Sequence, residues 1–206
     1  MSSILKVDEI QDTSGNNIIN ESSDTITIGA SGDTTNIIGT LQNNGSALIS
    51  GITMAQQWRI TASFSFSTVQ DIDTNWEISD STGYSSLGSS LTQSSGKFSF
   101  PSTGIYLILA TYQFRRDTGD RGVGGNITVT TNNSSYDIVS SSETNNSDVG
   151  GTENTTYIAH TQTIIDCTDT ANVKFALTVQ SATTQTCDGN TGRNYTGFTC
   201  IRLGDT

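Results

Sequence analysis

The side chains able to do chemistry are few and scattered. His160 is the only histidine, and it sits in an alternating stretch beside Ile158 and Thr161 with no Cys, Asp or second His close by in sequence. A general base needs a partner to orient it and a reacting group within reach, so His160 reads as a satisfied strand histidine. Serine is plentiful, but the G-x-S-x-G elbow that would expose a nucleophile is missing. Asp71 with Asp73, and Asp117 with Asp120, could offer carboxylates to a calcium ion in a loop or near an oligomer axis. Each loop holds few ligands and no EF-hand spacing occurs, so solvated turn acids are the plainer reading. No cofactor, metal site or enzymatic activity is expected.

Cys167, Cys187 and Cys200 are odd in number and lack C-x-x-C spacing. They read as buried free thiols, with a Cys187–Cys200 bridge as the alternative. Arg115 and Arg116 with Arg121 form the one local basic cluster. It could grip an anionic sugar or a neighbouring subunit, while the local reading pairs it with Asp117 and Asp120. Trp76 and Tyr84 lie in a Ser- and Gly-rich stretch and are candidate saccharide platforms, although core packing under a long loop is the first reading of Trp76. Ile4, Leu5, Val7 and Ile10 are too few to fold alone at a polar N-terminus. They are read as inserting into, or adding a strand to, another protein, or else as the start of an oligomeric shaft.

These side chains must be positioned by strands. The chain has 206 residues, 33% hydrophobic and only 14% charged, rich in Ser, Thr, Asn and Gly, with a net charge of −11. Nine Lys and Arg in all argue against phosphate neutralisation, so no nucleic-acid partner is expected. No apolar run is long enough to span a membrane, and Met1 to Lys6 does not look like a secretion signal, so neither membrane insertion nor conventional secretion is expected. Trp58, Ile60, Ala62, Phe64 and Phe66 alternate with Arg59, Thr61, Ser63 and Ser65, which predicts a strand with one buried and one wet face. Further strands are predicted at 97–100, 104–114, 126–131, 136–140, 156–165, 173–180 and 195–203, the spacing of a sandwich or barrel. Ile105 to Tyr112 is apolar on both parities, as in a central strand covered on both sides or one with a face in an oligomer interface.

Residues 1–57 lack aromatic side chains, and their aliphatics come in small groups at Ile18-Ile19, Ile26 with Ile28, Ile37-Ile38 and Leu48-Ile49. Strands so short cannot bury these groups within one chain, so an intertwined trimeric stalk is expected here, with a β-sandwich head over 58–206.

The stretch Gly96-Lys97-Phe98-Ser99-Phe100-Pro101-Ser102-Thr103-Gly104-Ile105-Tyr106 resembles the G-x-F-x-x-P-x-x-G-x-Y signature of C1q and TNF-like jelly rolls, and Tyr195-Thr196-Gly197-Phe198-Thr199 resembles their closing strand. The resemblance covers about residues 58–206 and implies a ten-stranded jelly roll that packs as a tight trimer, with loops at one end carrying ligand specificity. The segments 119–125 and 140–151 read as long loops that depart from the family. Ile4 to Asp8, Ile10 to Asn16 and Thr25 to Ala30 are similar to the opening of structural proteins of tailed, especially marine, phages. That implies a virion appendage docked through its N-terminus to other virion proteins, with the head displayed outward. The expectation is a homotrimeric tail-fibre or appendage subunit whose head binds host-surface glycan. The alternative is a capsid decoration protein that stabilises the shell.

Overall fold

The computed structural model describes residues 9–11, 17–22, 25–28, 32, 34–38, 42–43, 46–47, 51–116, 122–145 and 155–206. The chain divides into two units, Met1–Ser50 and Gly51–Thr206. The boundary falls ahead of the one expected at 57/58, because the strand containing Trp58 already begins at Met54 and pairs from its first residue.

In the first unit, β1 (Glu9–Gln11), β2 (Asn17–Ser22) and β3 (Thr25–Ile28) form a small antiparallel sheet, and β4 (Gln42–Asn43) pairs with β5 (Ser46–Ala47). These strands are as short as the grouped aliphatics predict. Ile10, Ile28, Ile37 and Ile38 are exposed within the chain.

The second unit is all β among its described residues. Its strands are β6 (Met54–Ile60), β7 (Ala62–Phe66), β8 (Gln70–Asp71), β9 (Trp76–Ile78), β10 (Thr92–Ser94), β11 (Lys97–Ser99), β12 (Gly104–Arg116), β13 (Gly122–Thr130), β14 (Asp137–Asn145), β15 (Thr156–Cys167), β16 (Lys174–Ser181), β17 (Gln185–Asn190) and β18 (Gly197–Gly204). One sheet runs β10-β11-β16-β13-β14, with β8 beside β16. In the other, β12 is central. Its one edge pairs with β15, and its other edge is shared by β18, which continues to β6 and β9, and by β17, which continues to β7.

The two sheets meet through aromatic side chains supplied by alternation. Phe98 of β11 stacks on Phe175 of β16 at 5.1 Å and meets Phe198, Trp58 and Trp76 of the facing sheet edge-on at 4.7, 5.3 and 5.1 Å. On β12 the even positions Tyr106, Ile108, Ala110, Tyr112 and Phe114 all face this core. The β10–β11 turn takes positive φ at both Ser95 and Gly96, the pattern of a two-residue hairpin. A Cβ at Gly96 would stand 2.2 Å from the Ile72 carbonyl oxygen, so the first glycine of the motif is fixed by packing as well as by φ.

Three expectations are corrected. The strand predicted over 58–66 breaks at Thr61 into β6 and β7. Arg59, expected on a wet face, is fully buried, because Glu77, Asp80, Ser81 and the Thr191 carbonyl close over its guanidinium. Finally, Gly122 to Gly125 and residues 140–145 are not loop but the paired strands β13 and β14. Gly125 permits this, since a Cβ there would lie 2.4 Å from the Tyr112 ring.

Phe98→Ala removes the one ring in contact with four others. It is expected to destabilise the second unit by about 3–5 kcal/mol, read as a fall in the urea midpoint.

Candidate functional site

With the even positions of β12 committed to the core, the odd positions Ile105, Leu107, Leu109, Thr111, Gln113 and Arg115 face outward. Register carries this face across four strands: Ile164 of β15, Leu107, Ile201 of β18 and Ala55 of β6 stand in one row. The next row is Gln162, Leu109, Thr199 and Gln57. The result is an apolar strip, with Ile164 63%, Leu203 48% and Leu109 36% exposed. β15 explains why the strip is open. Among the described residues it has no partner strand beyond β12, and its outward residues alternate Ile158, His160, Gln162, Ile164 with inward Ala159, Thr161 and Ile165.

Toward the other end of β12 the same face becomes polar, and its groups are satisfied within the chain. Asp188 of β17 is buried and accepts from Arg115 Nε at 2.6 Å, Gln113 Nε2 at 3.1 Å and Ser63 Oγ at 3.3 Å. Gln57 Nε2 donates to Thr199 Oγ1 at 3.1 Å, and Asn194 Nδ2 donates to Gln57 Oε1 at 2.5 Å. His160 is exposed, with Nδ1 3.0 Å from Thr111 Oγ1. These bonds satisfy the polar end, while the apolar end keeps Ile164, Leu203 and Leu109 exposed.

The residues singled out in sequence are not brought together. Trp76 is a strand residue of β9, with its ring edge-on to Phe98 and Phe198 and its Nε1 donating to the Ile72 carbonyl at 2.7 Å. It is core, not a loop platform. The Tyr84 hydroxyl is tied to β6, accepting from the Gln57 N–H at 2.7 Å. Arg115, expected to pair with Asp117 and Asp120, has Asp188 as its described partner. Of Arg116 only the backbone is described, opposite Gln185. Arg121, Asp117, Asp120, Ile4, Leu5 and Val7 lie outside the described residues, while Ile10 is exposed in β1. Asp71 is engaged with Lys97 at 2.6 Å, and among the described residues no group of three His, Cys, Asp or Glu could hold a metal ion.

Sequence reasoning missed Asp188 because Gln185 to Asp188 carries no apolar alternation, although all four residues are buried. The double-parity run of β12 was the signal for the outward face, and Ile164 on β15 completes it.

No protein-family model matches the sequence, and no curated protein matches it. Among solved structures, the chain is similar to Eiger TNF from S. frugiperda at 13% identity and TM-score 0.56, covering 74% of this chain and 94% of that one. It is similar to murine APRIL at 11% identity and TM-score 0.53, covering 73% and 98%. The fold is therefore a TNF-like jelly roll, in agreement with the motif over residues 96–106.

The three cysteines are buried and free. Burial pushes the Cys187 thiol from 9.0 up to about 12 and moves Cys200 in the same direction. The folded state thus disfavours thiolate, so this stabilisation is whole below about pH 9 and is lost as pH rises through the folded values. A thiol reagent at pH 8 is expected to label none of the three until the protein unfolds. The melting temperature is expected to fall between pH 9 and 12, less steeply in a Cys187→Ala, Cys200→Ala variant.

Proposed function

We propose that this chain is a homotrimeric virion appendage subunit, with the N-terminus of the 1–57 anchor and stalk docking to the particle and the jelly roll displayed outward to bind host-surface glycan. The observation that carries the trimer is the apolar strip of Leu107, Leu109, Ile164 and Ile201 on a face whose polar neighbours are already bonded. Burying the exposed part of each such side chain against another copy contributes about 25 cal/mol per Å² of apolar area covered, and the exposed isoleucines of the first unit gain in the same way. Three identical heads on one particle raise effective concentration on a repeating surface, so a modest single-site affinity is enough. The phage-like opening over Ile4 to Asp8, Ile10 to Asn16 and Thr25 to Ala30 supports the virion assignment.

Light scattering on the full chain is expected to give three times the 21.9 kDa chain mass. Ile164→Glu, at a position mostly open in the single chain, is expected to yield folded monomer with an unchanged circular-dichroism spectrum; a monomeric parent would refute the trimer. Immunogold labelling of particles with an antibody to residues 58–206 is expected to mark tails. Label spread over the heads would instead identify a capsid decoration protein.

A further inference from the structure

The chain has three lysines, Lys6, Lys97 and Lys174, against a net charge of −11, and the fold brings two of them to one place. Ser99 of β11 pairs with Lys174 of β16, and Thr92 of β10 pairs with Ser99 on its other side, so the three stand in one row across the sheet. Lys97 is two residues from Ser99 and shares its face. Together with Asn133 and Tyr136 they line a depression of about 380 Å³. This sheet is the one opposite the apolar strip, so assembly through that strip leaves the depression open.

The two lysines differ in state. Lys97 Nζ is held 2.6 Å from Asp71 Oδ2 and 4.3 Å from the centre of the Tyr136 ring. Lys174 is only partly exposed and has no acidic partner among the described residues. An ammonium without a local carboxylate partner is available to pair with an incoming anion. Around it, besides Lys97, which Asp71 already neutralises, the polar groups lining the depression are uncharged. Asn132 Oδ1 accepts from the N–H groups of Ser134 and Ser135, both at 2.9 Å, and the Asn133 N–H donates to the Asn172 carbonyl at 3.0 Å, which fixes the loop bearing Asn133 with φ 55°. One free cation beside hydroxyls and an amide on a rigid frame matches a sugar bearing a single carboxylate. A nucleic acid would need many cations. Free phosphate would leave most of the space empty.

We propose that this depression binds an acidic saccharide, with Lys174 pairing the sugar carboxylate and Asn133, Ser99 and Thr92 bonding its hydroxyls. The proposal rests on the reading of the head as a glycan-binding module and names the ligand class and the place. Calorimetric titration of the full chain with a galacturonic-acid trisaccharide, its neutral galactose counterpart and inorganic phosphate tests it. The acidic sugar is expected to bind, the neutral one not, and Lys174→Gln is expected to weaken binding about tenfold or more with an unchanged melting temperature, Lys174→Arg restoring most of it. Equal binding of the neutral sugar, binding indifferent to Lys174→Gln, or displacement by phosphate at equal concentration would each overturn the site. Particles carrying Lys174→Gln that adsorb normally to host cells would overturn it while leaving the receptor reading intact. A head that binds no host surface at all would remove that reading and the site with it.

Discussion

The contact of Phe98 with four other rings decides the rest of this architecture. It is where β11 and β16 of one sheet meet β6, β9 and β18 of the other. Because side chains alternate along a strand, assigning Phe198 and Trp58 to this cluster also assigns Thr199 and Gln57 to the far side of the sheet. The same constraint passes along the register to β12 and β15, and the apolar strip lies outside because the inside is already full. The face proposed for assembly is thus a consequence of how the core is packed.

Legibility in the sequence followed the strength of alternation. β12, β15, β16 and β18 lie within a few residues of where periodicity puts them, since each has several apolar residues of one parity. β17 was invisible because it buries Gln185, Thr186, Cys187 and Asp188, whose types suggest a turn. The second half of β13 was predicted as a strand, but its first half, Gly122 to Gly125, was read as loop because its glycines mimic one, whereas they serve the approach of the Tyr112 ring and of β14. Arg59 broke the pattern for a third reason. A long cation can occupy an apparently wet position and still be buried when a later segment supplies Glu77 and Asp80.

Pairing was harder to read than burial. Arg115 finds Asp188 73 residues away, and Lys97 and Lys174 share a face only because β11 and β16 are neighbours. Local sequence suggested nearer partners for the arginine and nothing at all for the lysines. In the first unit two of the aliphatic groups, Ile18-Ile19 and Ile26 with Ile28, fall in short strands, whereas Ile37-Ile38 lie outside any strand and are exposed.

The place of β18 in its sheet has a consequence for synthesis. It is the last described strand in chain order, yet it sits between β6, the first of its unit, and the central β12. A ribosome-bound chain that has released β6 to β17 therefore has a slot in the middle of its principal sheet, with Trp58 and Ile108 still facing water. Deleting Gly197–Gly204 would therefore take a keystone out of the middle of the sheet rather than trim a loose end.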